Sequence, residues 1–136
     1  MGLDNGILLK IKDRDKFGKL PKGYEIWFDD TIEILYWRKC WNIRSYIFDF
    51  LNDKGIKTVT DCSEDSVMSL DDLKELLKGL KHCYKRKWWE ENNDTIWEFD
   101  DIKDNFKDSL ACAKSLVKWI KDKDPDSYEI SFYDSY

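Results

Sequence analysis

Both ends of this chain alternate apolar and polar residues with a period of two, and the strongest patterns between them have the period of a helix. Near the start, Ile7, Leu9 and Ile11 alternate with Leu8, Lys10 and Lys12. At the end, Tyr128, Ile130 and Phe132 alternate with Glu129, Ser131 and Tyr133. Successive side chains of a strand point to opposite faces, so each run reads as a half-buried strand. Strands at both ends with helices between them fit an α+β fold: a small, mostly antiparallel sheet that includes both terminal strands, with about three helices packed on it. The 136 residues suit one domain, residues 1–136, because folding at this size buries roughly two thirds of the unfolded surface.

Between the ends, Tyr24, Ile26 and Phe28 alternate with Glu25 and Trp27, which predicts a second strand over 24–28. The β-branched segment Ile32 to Tyr36 predicts another, with a helix beginning near Trp37. Cys40, Ile43, Ile47, Phe50 and Leu51 then form an i, i+3, i+4 core stripe that ends at the Asn52, Asp53, Lys54, Gly55 stop signal. A short strand is expected over Ile56 to Thr60, before the polar run DCSEDS. Ser69 can cap the next helix, with Asp72 at its third position and Leu73, Leu76, Leu77 and Leu80 as its stripe. The last helix carries Ile102, Phe106, Leu110, Ala113, Leu116, Val117 and Ile120, and Pro125 stops it.

Composition excludes several classes. With 42% hydrophobic residues, 38% charged, 6 Gly and 2 Pro, the chain is neither disordered nor low in complexity. No apolar run approaches the roughly 20 residues of a membrane helix, and no signal peptide or myristoylation pattern is read at the N-terminus, so a soluble cytoplasmic protein without membrane partners is expected. Cys40, Cys62, Cys83 and Cys112 form no paired ligand spacing with one another or with His82. They read as free thiols rather than a metal site. A net charge of −5 argues against duplex nucleic acid as a partner. Positive charge is concentrated locally, in Arg38 to Arg44 and in Lys81 to Lys87.

Catalytic patterns are missing. The one histidine, His82, adjoins Cys83, and neighbouring helical positions do not face each other. Asp100, Asp104 and Asp108 share a helix face with Lys103 and Lys107 between them, as a solvated face does. No phosphate loop is present, and no cofactor is implied. The expectation is a binding protein rather than an enzyme.

The candidate site is YWRKCWNIR, Tyr36 to Arg44. On a helix beginning at Trp37, Trp37, Trp41, Arg44 and Phe48 form a second stripe beside the core stripe. One reading buries the two tryptophans beneath a neighbouring helix, with arginine stems lying over them. The other makes them a stacking platform for a planar ligand, with Arg38, Lys39 and Arg44 holding its anionic groups.

At these residues a resemblance enters. MGLDNGI, YWRKCWNIR, WWEEN with IWEFDDIK, and the terminal SFYDSY resemble a family of small phage and bacterial proteins. Its members begin MGLDNGI or MGLDMYL, carry a YWRK motif and end in an aromatic strand of the YFYDSY type. This chain departs from the MGLDMYL branch, which reads YWRKAN and then often His, in having Trp41 and Arg44 at those places. The resemblance implies a phage or prophage setting and supplies no established activity. It also implies that Asp4, Asn5, Tyr36, Trp37, Arg38, Lys39, Tyr133 and Asp134 belong to one constellation, and in a ligand site Tyr133 and Asp134 would serve for polar orientation. The combined expectation is a phage accessory protein that binds a small anionic ligand, conceivably a nucleotide immune signal, and so counters host defence. Two alternatives stay open: a module docking onto a host or phage protein through exposed aromatics, a surface that would also suit a homodimer, and a small carboxylate hydrolase.

Overall fold

A computed structural model describes residues 4–20, 22–24, 26–27, 29–38, 41–57, 66–83, 85, 87–88, 91 and 96–135; the side chains of 4, 38, 41, 96–105 and 135 lie outside the description. The fold is α+β. Among the described residues, four strands form one antiparallel sheet: β1 (Asp4–Ile11), β2 (Thr31–Arg38), β3 (Ser66–Met68) and β4 (Tyr128–Ser135), in the order β2-β1-β4-β3. The two terminal strands are therefore the central pair, running from Asp4 opposite Ser135 to Ile11 opposite Tyr128.

Four helices are described: α1 (Arg14–Phe17), α2 (Trp41–Asp53), α3 (Leu70–Leu80) and α4 (Ile96–Ile120). Ring contacts show which sheet face they cover. Phe48 of α2 meets Phe132 of β4 edge-on at 5.7 Å, and Phe106 of α4 meets Trp37 of β2 edge-on at 6.3 Å. The helical stripes bury Ile43, Ile47 and Leu51 of α2, Leu73, Leu76, Leu77 and Leu80 of α3, and Leu110, Ala113, Leu116 and Ile120 of α4. Opposite them the strands bury Ile7, Leu9, Leu35, Ile130 and Phe132.

Local chemistry sets the helix ends. The Ser69 hydroxyl accepts from the Asp72 N–H at 3.1 Å, satisfying one of the first-turn donors, while Asp71 and Asp72 complement the positive end of the α3 dipole. At the end of α2, Gly55 takes φ +73°, which a Cβ would disfavour, and the Ile56 N–H donates to the Leu51 carbonyl. Pro125 opens a 3-10 turn that leads from α4 into β4.

Three sequence expectations need correction. Tyr24, Ile26 and Trp27 are not strand; Trp27 donates to the Thr31 carbonyl and accepts from Asp30, whose φ of +61° makes this a turn into β2. Ile56 and Lys57 are also not strand, and 58–60 lie outside the described residues; the short strand is instead Ser66–Met68, immediately before the α3 cap. Finally, β2 continues through Trp37 and Arg38, and α2 begins at Trp41.

Burial raises the phenol pKa of Tyr24, Tyr46 and Tyr128 above the ordinary 10.0, with smaller contributions from Cys112 at Tyr24, Cys83 and Glu75 at Tyr46, and Asp71 at Tyr128. A folded-state pKa above the unfolded one favours the native state at every pH below about 10 and loses that contribution as pH climbs through the folded value. Urea midpoints measured from pH 9 to 11 are expected to fall while absorbance at 295 nm shows late-ionising tyrosines. A flat midpoint over that range would contradict the assignment.

Candidate functional site

The pleat of the sheet divides the residues singled out in the sequence. Asn5 stands opposite Trp37 on one side and Asp134 on the other, and all three point into the core. Gly6, one residue on, stands opposite Tyr36 and Tyr133 on the outer face. A methyl group on Gly6 would overlap the Tyr133 ring and lie 2.8 Å from the Leu35 carbonyl oxygen, so glycine lets that ring lie across the strand. Tyr36 is 45% exposed, and the Tyr133 hydroxyl reaches Glu33 at 3.5 Å.

The inward group is a polar clamp inside an apolar core. Asp134, whose side chain is wholly buried, accepts from Arg44 Nε at Oδ1 and from Arg44 Nη2 at Oδ2, each at 2.8 Å. Asn5 Nδ2 donates to the same Oδ1. Because a carboxylate only accepts, the amide must turn its NH₂ toward Asp134, which leaves Asn5 Oδ1 buried without a partner among the described residues; Trp37 Nε1 is in the same condition. The Arg44 guanidinium also lies 4.4 Å from the centre of the Phe48 ring. A fork-on-carboxylate pair with extra hydrogen bonds is the arrangement that makes a buried ion pair tolerable.

This geometry alters the expected roles. Arg44, read as a phosphate contact, directs two of its donors at Asp134, and Asp134, read as a ligand-orienting group, accepts three hydrogen bonds from the protein itself. Trp37, read as a stacking platform, is 6% exposed; its ring stacks on Phe132 at 6.5 Å and receives the edge of Phe106. The physical reason is the length of β2. Trp37 obeys the period of a strand and turns inward, so it leaves the helical stripe that would have aligned it with Trp41 and Arg44. The backbone of Asp4 pairs with those of Arg38 and Ser135. The side chains of Asp4, Arg38 and Trp41, and the whole of Lys39, lie outside the described residues.

A different cluster presents its charges to solvent. Lys74 and Lys78 of α3, Lys81 at its C-cap, and Lys114 and Lys118 of α4 line a groove of about 250 Å³ whose floor includes Leu77 and Val117. Lys81, just past the end of α3, lines the same groove as Lys114, while Leu70 and Asp71 at the start of α3 share a depression with Lys121, so the two helices run antiparallel. None of the five lysines is ion-paired to a carboxylate among the described residues. The ammonium of Lys114 is held below its ordinary pKa, first by its contact with Lys81 and then by burial. The sequence does contain the signal, lysines at i, i+4 and i+7 in α3 and i, i+4 in α4. Each stripe taken alone reads as a solvated face, and only helix packing brings the two together.

Other chemistry is sparse among the described residues. His82 is exposed and Cys83 is buried in the turn after α3, and Cys112 is an exposed free thiol. No group of three His, Cys, Asp or Glu side chains that could hold a metal ion is found, and no helix is long and apolar enough to cross a membrane, among those residues.

The clamp is a structural element with a direct test. Asp134→Ala leaves the Arg44 charge buried without its carboxylate and is expected to cost about 3 to 5 kcal/mol in urea unfolding. Replacing both partners, Arg44→Met with Asp134→Leu, is expected to recover only part of that loss, because the buried Asn5 amide still lacks its acceptor. A single variant within about 0.5 kcal/mol of the parent would show that the clamp does not hold the fold. Comparison with protein-family models, with curated proteins and with solved structures finds no match to the chain.

Proposed function

We propose that this chain is a non-enzymatic binder of a small anionic ligand, which it holds in the lysine groove between α3 and α4. One observation carries the reading: five lysines of α3, its C-cap and α4 line a groove with an apolar floor and have no carboxylate ion-pair partner among the described residues, in a chain with 28 acidic residues against 23 basic ones. Like charges gathered at one place repel, and a bound anion reverses the sign of that interaction. Leu77 and Val117 offer apolar contact to the body of the ligand. The resemblance of MGLDNGI, YWRK and SFYDSY to small phage and bacterial proteins supports an accessory role in a host cytoplasm. Sequestering a nucleotide immune signal would be a use for such a groove there, and nucleotides are the first class to test.

Calorimetry against linear and cyclic nucleotides at low ionic strength is expected to show binding that weakens as salt is raised, because the lysines are exposed to screening. Lys78→Gln with Lys118→Gln is expected to lower affinity at least tenfold, while Lys10→Gln on the far side of the sheet leaves it unchanged. No heat with any member at millimolar concentration would remove the reading, and turnover of a nucleotide to product would replace it with the hydrolase.

The second reading, docking onto a host protein or a second copy of the chain, draws on Tyr36 and Val67, large side chains 45% and 50% exposed on the outer sheet face. A stoichiometric partner recovered by the parent chain and lost with Tyr36→Ser would favour it over the groove.

A further inference from the structure

We infer that Asn5–Gly6 is a site of spontaneous deamidation that folding shuts, and that a chain modified there cannot rebuild the centre of the sheet. The inference is independent of the anion groove.

Asn5 and Gly6 form the one Asn-Gly pair in the sequence. In a flexible chain the Gly6 backbone nitrogen can attack the carbonyl carbon of the Asn5 side chain. The proton of that nitrogen and the side-chain NH₂ leave together as ammonia, and a five-membered succinimide closes. Water then opens the ring at either carbonyl, giving an aspartyl or an isoaspartyl residue at position 5. Glycine favours the attack, because no Cβ hinders the nitrogen and the backbone turns freely into the required conformation.

The fold opposes each part of that reaction. Asn5 and Gly6 lie in β1, flanked by β2 and β4, where extended dihedrals and ladder hydrogen bonds restrain the Gly6 nitrogen. The Asn5 side chain is fully buried, away from water, and its Nδ2 donates to Asp134 Oδ1. No donor reaches Asn5 Oδ1 among the described residues, so nothing there stabilises the oxyanion that attack would create.

The products do not fit the same place. A carboxylate at position 5 loses the donor to Asp134 and sets two acceptors of like charge against each other in a buried site. An isoaspartyl linkage also lengthens the backbone of β1 and breaks its register with β4. Gly6 is equally constrained, since a Cβ would overlap the Tyr133 ring and lie 2.8 Å from the Leu35 carbonyl oxygen. The contacts that build the sheet therefore select a dipeptide that reacts when those contacts are absent.

Peptide mapping by mass spectrometry tests this with the full chain, held folded in buffer or unfolded in guanidinium chloride at the same mildly alkaline pH and temperature. In the tryptic peptide ending at Lys10, aspartyl and isoaspartyl products are expected at least tenfold faster in the unfolded sample. In that denaturant Gly6→Ala is expected to slow the reaction at least tenfold, a comparison that does not need the variant to fold. After dilution and size-exclusion chromatography, modification at position 5 is expected at least tenfold enriched in the unfolded fraction over the refolded one. Asn5→Asp is expected to lower the urea midpoint or abolish the folding transition. Equal rates in the folded and unfolded samples, or an unchanged rate in Gly6→Ala, would overturn the shut site. Equal modification of the two fractions, or a parental midpoint in Asn5→Asp, would overturn the block on refolding.

Discussion

The centre of the sheet is made by the two ends of the chain, and their pairing is fixed by a clamp between residues 129 positions apart. β1 and β4 meet only after every helix has been drawn between them, so the most buried ladder is also the least local one. Apolar alternation alone would specify its register weakly at the Asp4 and Ser135 end, where Phe132 and Tyr133 are both aromatic and differ little in preference for the core. The clamp supplies what that pattern lacks. A slip of one residue would turn Asp134 to the outer face, strand the Arg44 guanidinium among apolar groups and separate Asn5 from its acceptor. Since Arg44 belongs to α2, the same contact fixes that helix against the sheet it crosses.

Those constraints explain which parts of the fold could be read from the sequence. Elements that bury one clean face were legible: Ile7 to Ile11, Tyr128 to Phe132, and the leucine stripe after the Ser69 cap obey their periods without interruption. The segment Tyr24 to Phe28 alternates as well as either terminal strand does, yet it leads into a turn in which Trp27 donates to the Thr31 carbonyl and accepts from the Asp30 N–H, and alternation cannot reveal that competitor. Ser66–Met68 was hidden for the opposite reason. Three residues are too few for a period, and the strand exists because Phe132 and Ile130 of β4 offer it an edge. One boundary mattered most for function. Moving the start of the helix from Trp37 to Trp41 removes Trp37 from the helical surface and places it between Phe106 and Phe132.

The constellation suggested by the motifs was legible as a neighbourhood but not as a site. Asn5, Trp37, Arg44 and Asp134 come together, as do Gly6, Tyr36 and Tyr133, but the pleat sends the first set inward and the second outward. A strand pattern gives which residues alternate; it does not say that the inward position will be a carboxylate held by an arginine from another element. Such a cluster looks like a binding site in sequence because its residue types are those of a binding site. The Arg44–Asp134–Asn5 hydrogen bonds are directed within the cluster, so a ligand would have to displace them.

The lysines show the converse. They are compositionally plain and spaced as solvated faces are spaced, so nothing in either helix marks them for recognition. The antiparallel packing of α3 on α4 places two stripes of like charge across one groove. An arrangement of that kind opposes folding by its own repulsion and contributes favourably only when an anion is present. The clamp and the groove thus differ: the Arg44–Asp134 pair is neutralised within the chain, whereas the exposed lysines have no carboxylate ion-pair partner among the described residues. That difference, more than the rarity of the residues involved, is the physical ground for separating the part of this molecule that makes the fold from the part available to bind.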